Sequence, residues 1–61
     1  MKPTKTDRGY ELAGYEINRP DPEYDQDEWR VNAPNGEWEI DLPTKWQCVQ
    51  WVLTMRVGGN Q

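Results

Sequence analysis

Residues 31–42 read Val31-Asn32-Ala33-Pro34-Asn35-Gly36-Glu37-Trp38-Glu39-Ile40-Asp41-Leu42 and carry the most informative pattern of the sequence. Asn35-Gly36 separates two alternating runs, and this dipeptide favours a β-hairpin because both residues tolerate positive φ. The predicted cross-strand pairs are Ala33–Trp38, Val31–Ile40 and Trp29–Leu42. The pattern therefore predicts a hairpin over residues 28–42.

The two faces of this hairpin differ in polarity, which fixes the register. The apolar face contains Trp29, Val31, Ala33, Trp38, Ile40 and Leu42, and the polar face contains Glu28, Arg30, Asn32, Glu37, Glu39 and Asp41. The loop is either a two-residue turn or a four-residue loop over 34–37. A three-residue loop over 34–36 would set Trp38 opposite Asn32 and mix the faces, so the pattern argues against it.

A further strand is predicted over residues 10–17. Tyr10 and Leu12 alternate in one phase, whereas Tyr15 and Ile17 alternate in the other. A bulge at Ala13-Gly14 would bring both pairs to one side, because glycine is favoured in bulges. The alternative is two short extended pieces that meet at a bend.

The last segment predicts a helix over residues 45–57. Thr44 and Gln47 fit a capping box before the helix, and Gly58-Gly59 supplies the stop. Alternation of apolar residues from Val49 onward is also compatible with a strand, but the cap and the glycines favour the helix.

These elements predict an α+β fold, in which a small three-stranded antiparallel sheet (β-β-β-α) carries one C-terminal helix on its apolar face. Residues 1–8 are expected to be a flexible N-terminal segment, and residues 9–61 a single small domain. Residues 18–27 form an acidic connector, which two prolines and repelling acids are expected to hold extended.

The second half of the chain resembles a known family in a few positions. Trp29, Val31, Gly36, the run Leu42-Pro43-Thr44-Lys45 and Trp51 are similar to the sheet-plus-helix domain at the N-terminus of phage-type integrases. In that family the exposed sheet face meets DNA through basic and polar side chains. The acids Glu37, Glu39 and Asp41 stand on that face here, so the resemblance implies the fold and not DNA binding.

Composition makes an enzyme unexpected. The 61 residues include no His and no Ser, and the single Cys48 lies within the apolar helix pattern. Acids at alternate positions from Asp21 resemble the start of a calcium loop, but Gln26 stands where that loop needs Gly and Asn32 where it needs Glu. We therefore expect no catalytic residues, no metal and no cofactor.

The acidic residues form the predicted partner-binding surface. Residues 21–41 contain eight acidic residues and one basic residue, and the chain has a net charge of −4. Such a surface repels nucleic acid but suits a basic protein surface, where carboxylates can stand in for phosphates. The candidate partner-binding residues are Asp21, Glu23, Tyr24, Asp25, Asp27, Glu28, Glu37, Glu39 and Asp41.

This surface predicts a phage-type inhibitor that binds a basic nucleic-acid-binding protein or nuclease complex, such as a CRISPR or restriction nuclease. DNA mimicry by the acidic residues is one way in which it would bind. No direct nucleic-acid partner is expected, because the acidic surface repels phosphates. No membrane partner is expected, because no apolar run approaches the ~20 residues that span a bilayer. The expected location is cytoplasmic, in the host cell if a phage encodes the chain. The alternative is that the acids only confer solubility.

The predicted helix has more apolar surface than one small sheet can cover. The surplus is centred on Cys48, Trp51 and Met55. Either the first strand, the connector or Tyr24 folds over it, or it is a second candidate surface. In the second case the protein is a homo-oligomeric or structural adaptor that assembles through the helix.

Overall fold

The computed structural model describes residues 2–24 and 26–58, and the side chains of these residues except 24 and 56–58. The elements are β1 (Thr4–Lys5), β2 (Gly9–Leu12), β3 (Tyr15–Asn18), a 3-10 helix (Pro22–Tyr24), β4 (Trp29–Asn32), β5 (Trp38–Leu42) and α1 (Lys45–Gly58). The strands form one antiparallel sheet in chain order. The fold is α+β, but the predicted three-stranded sheet is wrong because the sheet has five strands.

The segment predicted as one strand over 10–17 is a hairpin of β2 and β3, with Leu12 opposite Tyr15. Ala13 and Gly14 connect the strands with φ of 54° and 87°. Positive φ at both central residues is what a type I′ turn requires. The change of phase therefore marks a two-residue turn and not a bulge. The side chains that this turn brings to one face are Tyr10, Leu12, Tyr15 and Ile17.

The remaining additional strand, β1, lies at the edge of the sheet next to β2. It falls within the segment 1–8 that the sequence analysis took as flexible. The Thr6 N–H donates to the Gly9 carbonyl at 2.9 Å, and the Thr6 hydroxyl accepts from the Gly9 N–H at 3.1 Å. A Cβ at Gly9 would overlap the backbone of β3, so only glycine permits this close approach.

The turn between β4 and β5 is the three-residue loop that the sequence argued against. The Gly36 N–H donates to the Ala33 carbonyl, and the Ala33 N–H donates to the Glu37 carbonyl, both at 2.8 Å. Within this loop only Gly36 has a positive φ, of 90°. This pattern fits a type I turn followed by a glycine bulge. Pro34 explains it, because its fixed φ suits the first central position of a type I turn, whereas beside a two-residue turn over Asn35-Gly36 it could not donate the second closing hydrogen bond.

A second irregularity in β5 restores the predicted register. Trp38 lies opposite Asn32, not Ala33 as predicted, and the ladder shifts between this pair and the next. Glu39 is the additional residue of this bulge. The pairs beyond it, Trp29–Leu42 and Val31–Ile40, are those that the sequence predicted. The additional residue in the turn and the one in β5 offset each other, but Trp38 moves to the polar face.

The helix α1 confirms the helical interpretation of the last segment and ends one residue later than predicted. The Gln47 N–H donates to the Thr44 hydroxyl oxygen at 3.2 Å, as the predicted cap requires. The Gln47 side chain accepts from the same hydroxyl at 3.3 Å instead of reaching the backbone. Gly59, half of the predicted stop, lies outside the described residues.

The core lies between α1 and one face of the sheet. Its buried residues are Leu12, Ile17, Val31, Cys48, Val49 and Val52. The described residues place no element on the other side of the sheet, which we call the open face. No helix in the described ranges has the length and apolar character that crossing a bilayer demands.

Candidate functional site

The three acids that were predicted on the polar face, Glu37, Glu39 and Asp41, do not form a continuous row. Glu37 closes the turn opposite Ala33, and Glu39 is the bulge residue, so the even spacing of a regular strand is lost. Both side chains are exposed, whereas Asp41 is half-buried. The structure therefore separates the three acids that the sequence analysis placed on one face.

Asp41 is the acceptor of a small network on the open face. Its Oδ1 accepts the Trp38 Nε1–H at 2.8 Å and the Arg30 Nε–H at 3.2 Å. Burial raises the pKa of Asp41, but the bonds from Trp38 and Arg30 together with the Arg30 charge outweigh it and hold the pKa below its ordinary value of 3.8. This carboxylate is already paired, so it offers less charge to a partner than the sequence suggested.

The connector folds back on itself and does not stay extended. The Gln26 N–H donates to the Asp21 carbonyl at 3.2 Å, and the Asp21 N–H donates to Gln26 Oε1 at 3.3 Å. Asp21 Oδ1 also accepts the Glu23 N–H at 3.0 Å at the start of the 3-10 helix. The Asp21 carboxylate thus stabilises the loop, while the Glu23 side chain is exposed.

The last acid of the connector and Glu28 lie near Asp41 at one end of β5. Asp27 and Glu28 line a shallow depression together with Gln26 and Asp41. The structure therefore brings three of the predicted partner-binding residues together here. The side chain of Tyr24 and the whole of Asp25, also predicted, lie outside the described residues.

Two carboxylates that the sequence analysis did not select lie side by side on the open face. Glu11 in β2 is directly opposite Glu16 in β3, and both are exposed. Because a two-residue turn makes its closing pair hydrogen-bonded, the next pair is non-hydrogen-bonded, with Cα atoms ~4.5 Å apart. Like charges at such positions destabilise a sheet. Recognition of the turn at Ala13-Gly14 would have revealed this pair from sequence.

The same cross-strand row continues to the exposed Trp38. Glu16 lies opposite Asn32, and Asn32 lies opposite Trp38. The Trp38 side chain is 60% exposed although its indole is held by Asp41. The row across the open face therefore runs from two carboxylates to a fixed aromatic ring.

The helix surface predicted as a second candidate is divided by the packing of α1. Cys48 is fully buried, and Trp51 is half-buried with its ring 6.0 Å from that of Tyr15 in a T-shaped arrangement. Met55 is 47% exposed. Tyr15 belongs to the segment that was expected to cover the apolar surplus, so the first hairpin covers part of it.

Cys48 has the properties of a core residue. Burial raises the pKa of its thiol to about 11, and the charges of Asp41 and Glu28 add to the shift. Because the thiolate is the reactive form, this environment makes the thiol unreactive at neutral pH. Within the part of the chain that is described, no three metal-binding side chains come together.

A different apolar groove is present at the start of α1. It is lined by Leu42, Trp46, Gln47, Gln50, Trp51 and Thr54. Trp46 is 61% exposed, and its ring lies 4.5 Å from the Lys45 ammonium. Trp46 is not among the helix residues that were predicted as a second candidate surface.

No protein-family model matches this chain, and neither a curated protein nor a solved structure does so either.

Proposed function

We propose that this protein is a non-enzymatic inhibitor that binds the basic surface of a nucleic-acid-binding protein, and that its open face makes the contact. The observation that carries the proposal is the pair Glu11 and Glu16 in one row with the exposed Trp38. The negative charge of the whole chain supports the partner class. The side chains that the sheet exposes on its open face support the contact surface.

The charge argument starts from the pairing of the acids. The ion pair found among the described residues joins Arg30 to Asp41, which leaves Glu11 and Glu16 without a cation. Two adjacent unpaired carboxylates gain electrostatic energy when a lysine or arginine approaches. Proteins that bind nucleic acid present such cations to phosphates, and these carboxylates can occupy the same cations.

Trp38 supplies packing area, which the charges of Glu11 and Glu16 do not provide. Tryptophan is enriched among the residues that dominate binding energy, and a side chain fixed before binding loses little conformational entropy. The bond from Trp38 Nε1 to Asp41 Oδ1 at 2.8 Å provides this fixation. Charge on Glu11 and Glu16 then steers the approach, and the indole provides packing area.

A panel of purified restriction and CRISPR nucleases tests the proposal. We expect the protein to inhibit DNA cleavage by at least one of them at a stoichiometric ratio, and excess duplex DNA to relieve the inhibition. The variant Glu11→Lys/Glu16→Lys should lose inhibition at least tenfold, because it replaces attraction by repulsion. Circular dichroism should show that this variant stays folded, since the substitution is on an exposed face.

The matched control is Glu23→Lys/Asp27→Lys, which makes the same change of charge in the connector. It should retain most of the inhibition if the open face makes the contact. Equal loss in both variants would show that net charge and not the open face matters. Absence of inhibition across the panel would contradict the proposed function for those nuclease classes.

A second candidate function is that of an adaptor that self-associates through α1, which the exposure of Trp46 and Met55 favours. Sedimentation equilibrium at millimolar concentration should then show a dimer, and Trp46→Gln should weaken it. A strict monomer would dismiss this candidate without affecting the inhibitor proposal.

A further inference from the structure

A groove at one end of the sheet has a lining whose net charge is opposite to that of the chain. It occupies about 690 Å³ at the end of β3 and is lined by Asp7, Arg8, Asn18, Arg19, Pro20, Asp21, Pro22, Gln26 and Arg30. Three of the four arginines of the sequence are in this lining. We call it the arginine groove. In a chain with a net charge of −4, such a concentration of guanidinium groups is a local exception.

The antiparallel sheet produces this convergence. Arg8 and Arg19 flank the first hairpin, where the Arg19 N–H donates to the Arg8 carbonyl at 2.8 Å. Arg30 lies opposite Asn18 in the neighbouring strand. The loop that starts at Pro20 forms the wall of the groove, because hydrogen bonds between Asp21 and Gln26 fold it back.

Donor groups remain available in this lining. Arg30 bonds Asp41 through Nε at 3.2 Å, and its Nη groups make no hydrogen bond to any described residue. The Arg8 side chain likewise makes none within the described ranges, and Gln26 uses its oxygen for Asp21, which leaves its amide N–H groups as donors. Arg19 uses one Nη2–H for the Asp7 carbonyl at 2.7 Å.

The two acids of the lining do not cancel the arginines. The Asp21 carboxylate accepts the Glu23 N–H at 3.0 Å, and the Asp7 side chain is exposed. With three arginines and two aspartates the lining itself carries one excess positive charge. Planar guanidinium forks match the oxygens of a phosphate, which accepts several charge-assisted hydrogen bonds at once.

We propose that the arginine groove binds a phosphate group, through the guanidinium groups of Arg8, Arg19 and Arg30 with the Gln26 amide as a further donor. The phosphate belongs either to a small phosphorylated molecule or to a nucleic-acid backbone. This inference does not rest on the proposed function, because it needs no protein partner and uses side chains other than Glu11, Glu16 and Trp38; Arg30 borders both areas through its bond to Asp41.

The test is a titration of the full chain observed by ¹H–¹⁵N NMR at constant ionic strength set with sodium chloride. The probes are inorganic phosphate, adenosine 5′-monophosphate, adenosine and a short single-stranded oligonucleotide. Phosphate and the mononucleotide should shift the Arg8, Arg19 and Arg30 Nε–H signals saturably, and adenosine should not. If only the oligonucleotide adds affinity beyond phosphate, the source is a nucleic-acid backbone; equal affinity for the mononucleotide indicates a small ligand.

Two substitutions establish the location. Arg8→Gln and Arg19→Gln should each weaken phosphate binding about tenfold, because each removes a charge-assisted donor. Lys5→Gln makes the same change of charge on β1, outside the groove, and should leave binding nearly unchanged. Arg8→Lys keeps the charge but loses the fork, and should bind more weakly than the wild type.

Two results would overturn the inference. One is the absence of saturable shifts with any phosphate-containing probe. The other is a loss in Lys5→Gln equal to that in Arg8→Gln, which would indicate general attraction of anions and no groove. If Arg19→Gln unfolds the chain because its contact with Asp7 is lost, Arg8→Gln still decides, since the Arg8 side chain makes no hydrogen bond to the described residues.

Discussion

The two hairpins of this sheet have turns of different types, and each turn departs from the preference of its residues. The first, β2–β3, uses Ala13-Gly14 with positive φ at both residues, although alanine disfavours that conformation. The second, β4–β5, contains Asn35-Gly36, which would suit the same turn, yet it adopts a three-residue loop and a bulge. The difference shows that a single neighbour, Pro34, can outweigh the preferred dipeptide of a turn.

The largest difference in stability between matched substitutions in the two hairpins is expected in the core. Ile17 of the first hairpin is fully buried, whereas Ile40 of the second is half-buried. We expect Ile17→Ala to cost about 3 kcal/mol and Ile40→Ala about half of that, since the lost burial scales with the side chain removed from water. Urea denaturation followed by tryptophan fluorescence measures both losses.

A domain of this size has a stability of only about 3–5 kcal/mol, so the loss expected for Ile17→Ala comes close to the limit of measurement. Ile17→Val and Ile40→Val then give the same ranking with smaller losses. Equal losses at the two positions would mean that the two hairpins share the core evenly.

The glycines of the two turns give a matched pair. Gly14 and Gly36 have φ of 87° and 90°, but a Cβ at Gly14 would lie 3.2 Å from Pro34 Cγ, whereas nothing lies within 4 Å at Gly36. Gly36→Ala should cost about 1–2 kcal/mol from the backbone alone, and Gly14→Ala should cost more. In a Pro34→Ala background the cost of Gly14→Ala should fall, because the contact with Pro34 Cγ is removed, as thermal denaturation of Gly14→Ala, Pro34→Ala and the double variant would show.

The strained alanine of the first turn offers a stabilising change. Ala13→Asn should raise the free energy of unfolding by about 0.5–1 kcal/mol, because Asn-Gly is preferred in type I′ turns. The control is Ala33→Asn in the second hairpin, where φ is not positive and no gain is expected. Denaturant midpoints compare the two; a loss in Ala13→Asn would contradict the assigned turn.

The smallest effect on stability concerns Asp41, whose pairing with Arg30 and Trp38 is found in the second hairpin. Its pKa is lower in the folded protein than its ordinary value of 3.8, so its contribution is complete above that pH and is lost as the pH falls through the folded pKa. Asp41→Asn should cost less than about 1 kcal/mol at pH 7, because the pair with Arg30 is partly exposed. Urea midpoints should show that the gap between wild type and variant narrows below pH 3.8.

Trp38→Phe serves as the control for this pH dependence. It removes one of the donors to Asp41 without changing the charge. In this background the stability difference caused by Asp41→Asn should be smaller at pH 7. An unchanged gap from pH 7 to pH 2 would mean that Asp41 does not stabilise the fold through its charge.

Local signals predicted the parts of the fold that are local. Thr44 and Gln47 were sufficient to predict the start of α1, because a cap depends on neighbouring residues alone. The pairs Trp29–Leu42 and Val31–Ile40 were also predicted, since burial of one face fixes the register beyond a turn. Pro34 favours the three-residue loop, but the polarity of the two faces argued for a two- or four-residue loop, and that prediction was wrong.

The remaining features depend on contacts between distant residues. Ala13 gives no sequence signal for positive φ, so the first turn was interpreted as a bulge and the number of strands was wrong. The pair Glu11–Glu16 and the convergence of Arg8, Arg19 and Arg30 follow only from the correct strand order. The predicted acids were visible as composition, but their separation by the bulge at Glu39 was not.

The bulge at Glu39 also bears on growth of the sheet beyond one molecule. β5 lies at an edge, and unpaired edge strands are templates for aggregation. A bulge twists such an edge away from a flat ladder, and addition of a second β5 would bring Glu39 and Asp41 close to the same acids of the other copy. At the opposite edge β1 has only two residues. Both edges are therefore expected to oppose edge-to-edge pairing with the sheet of a second copy.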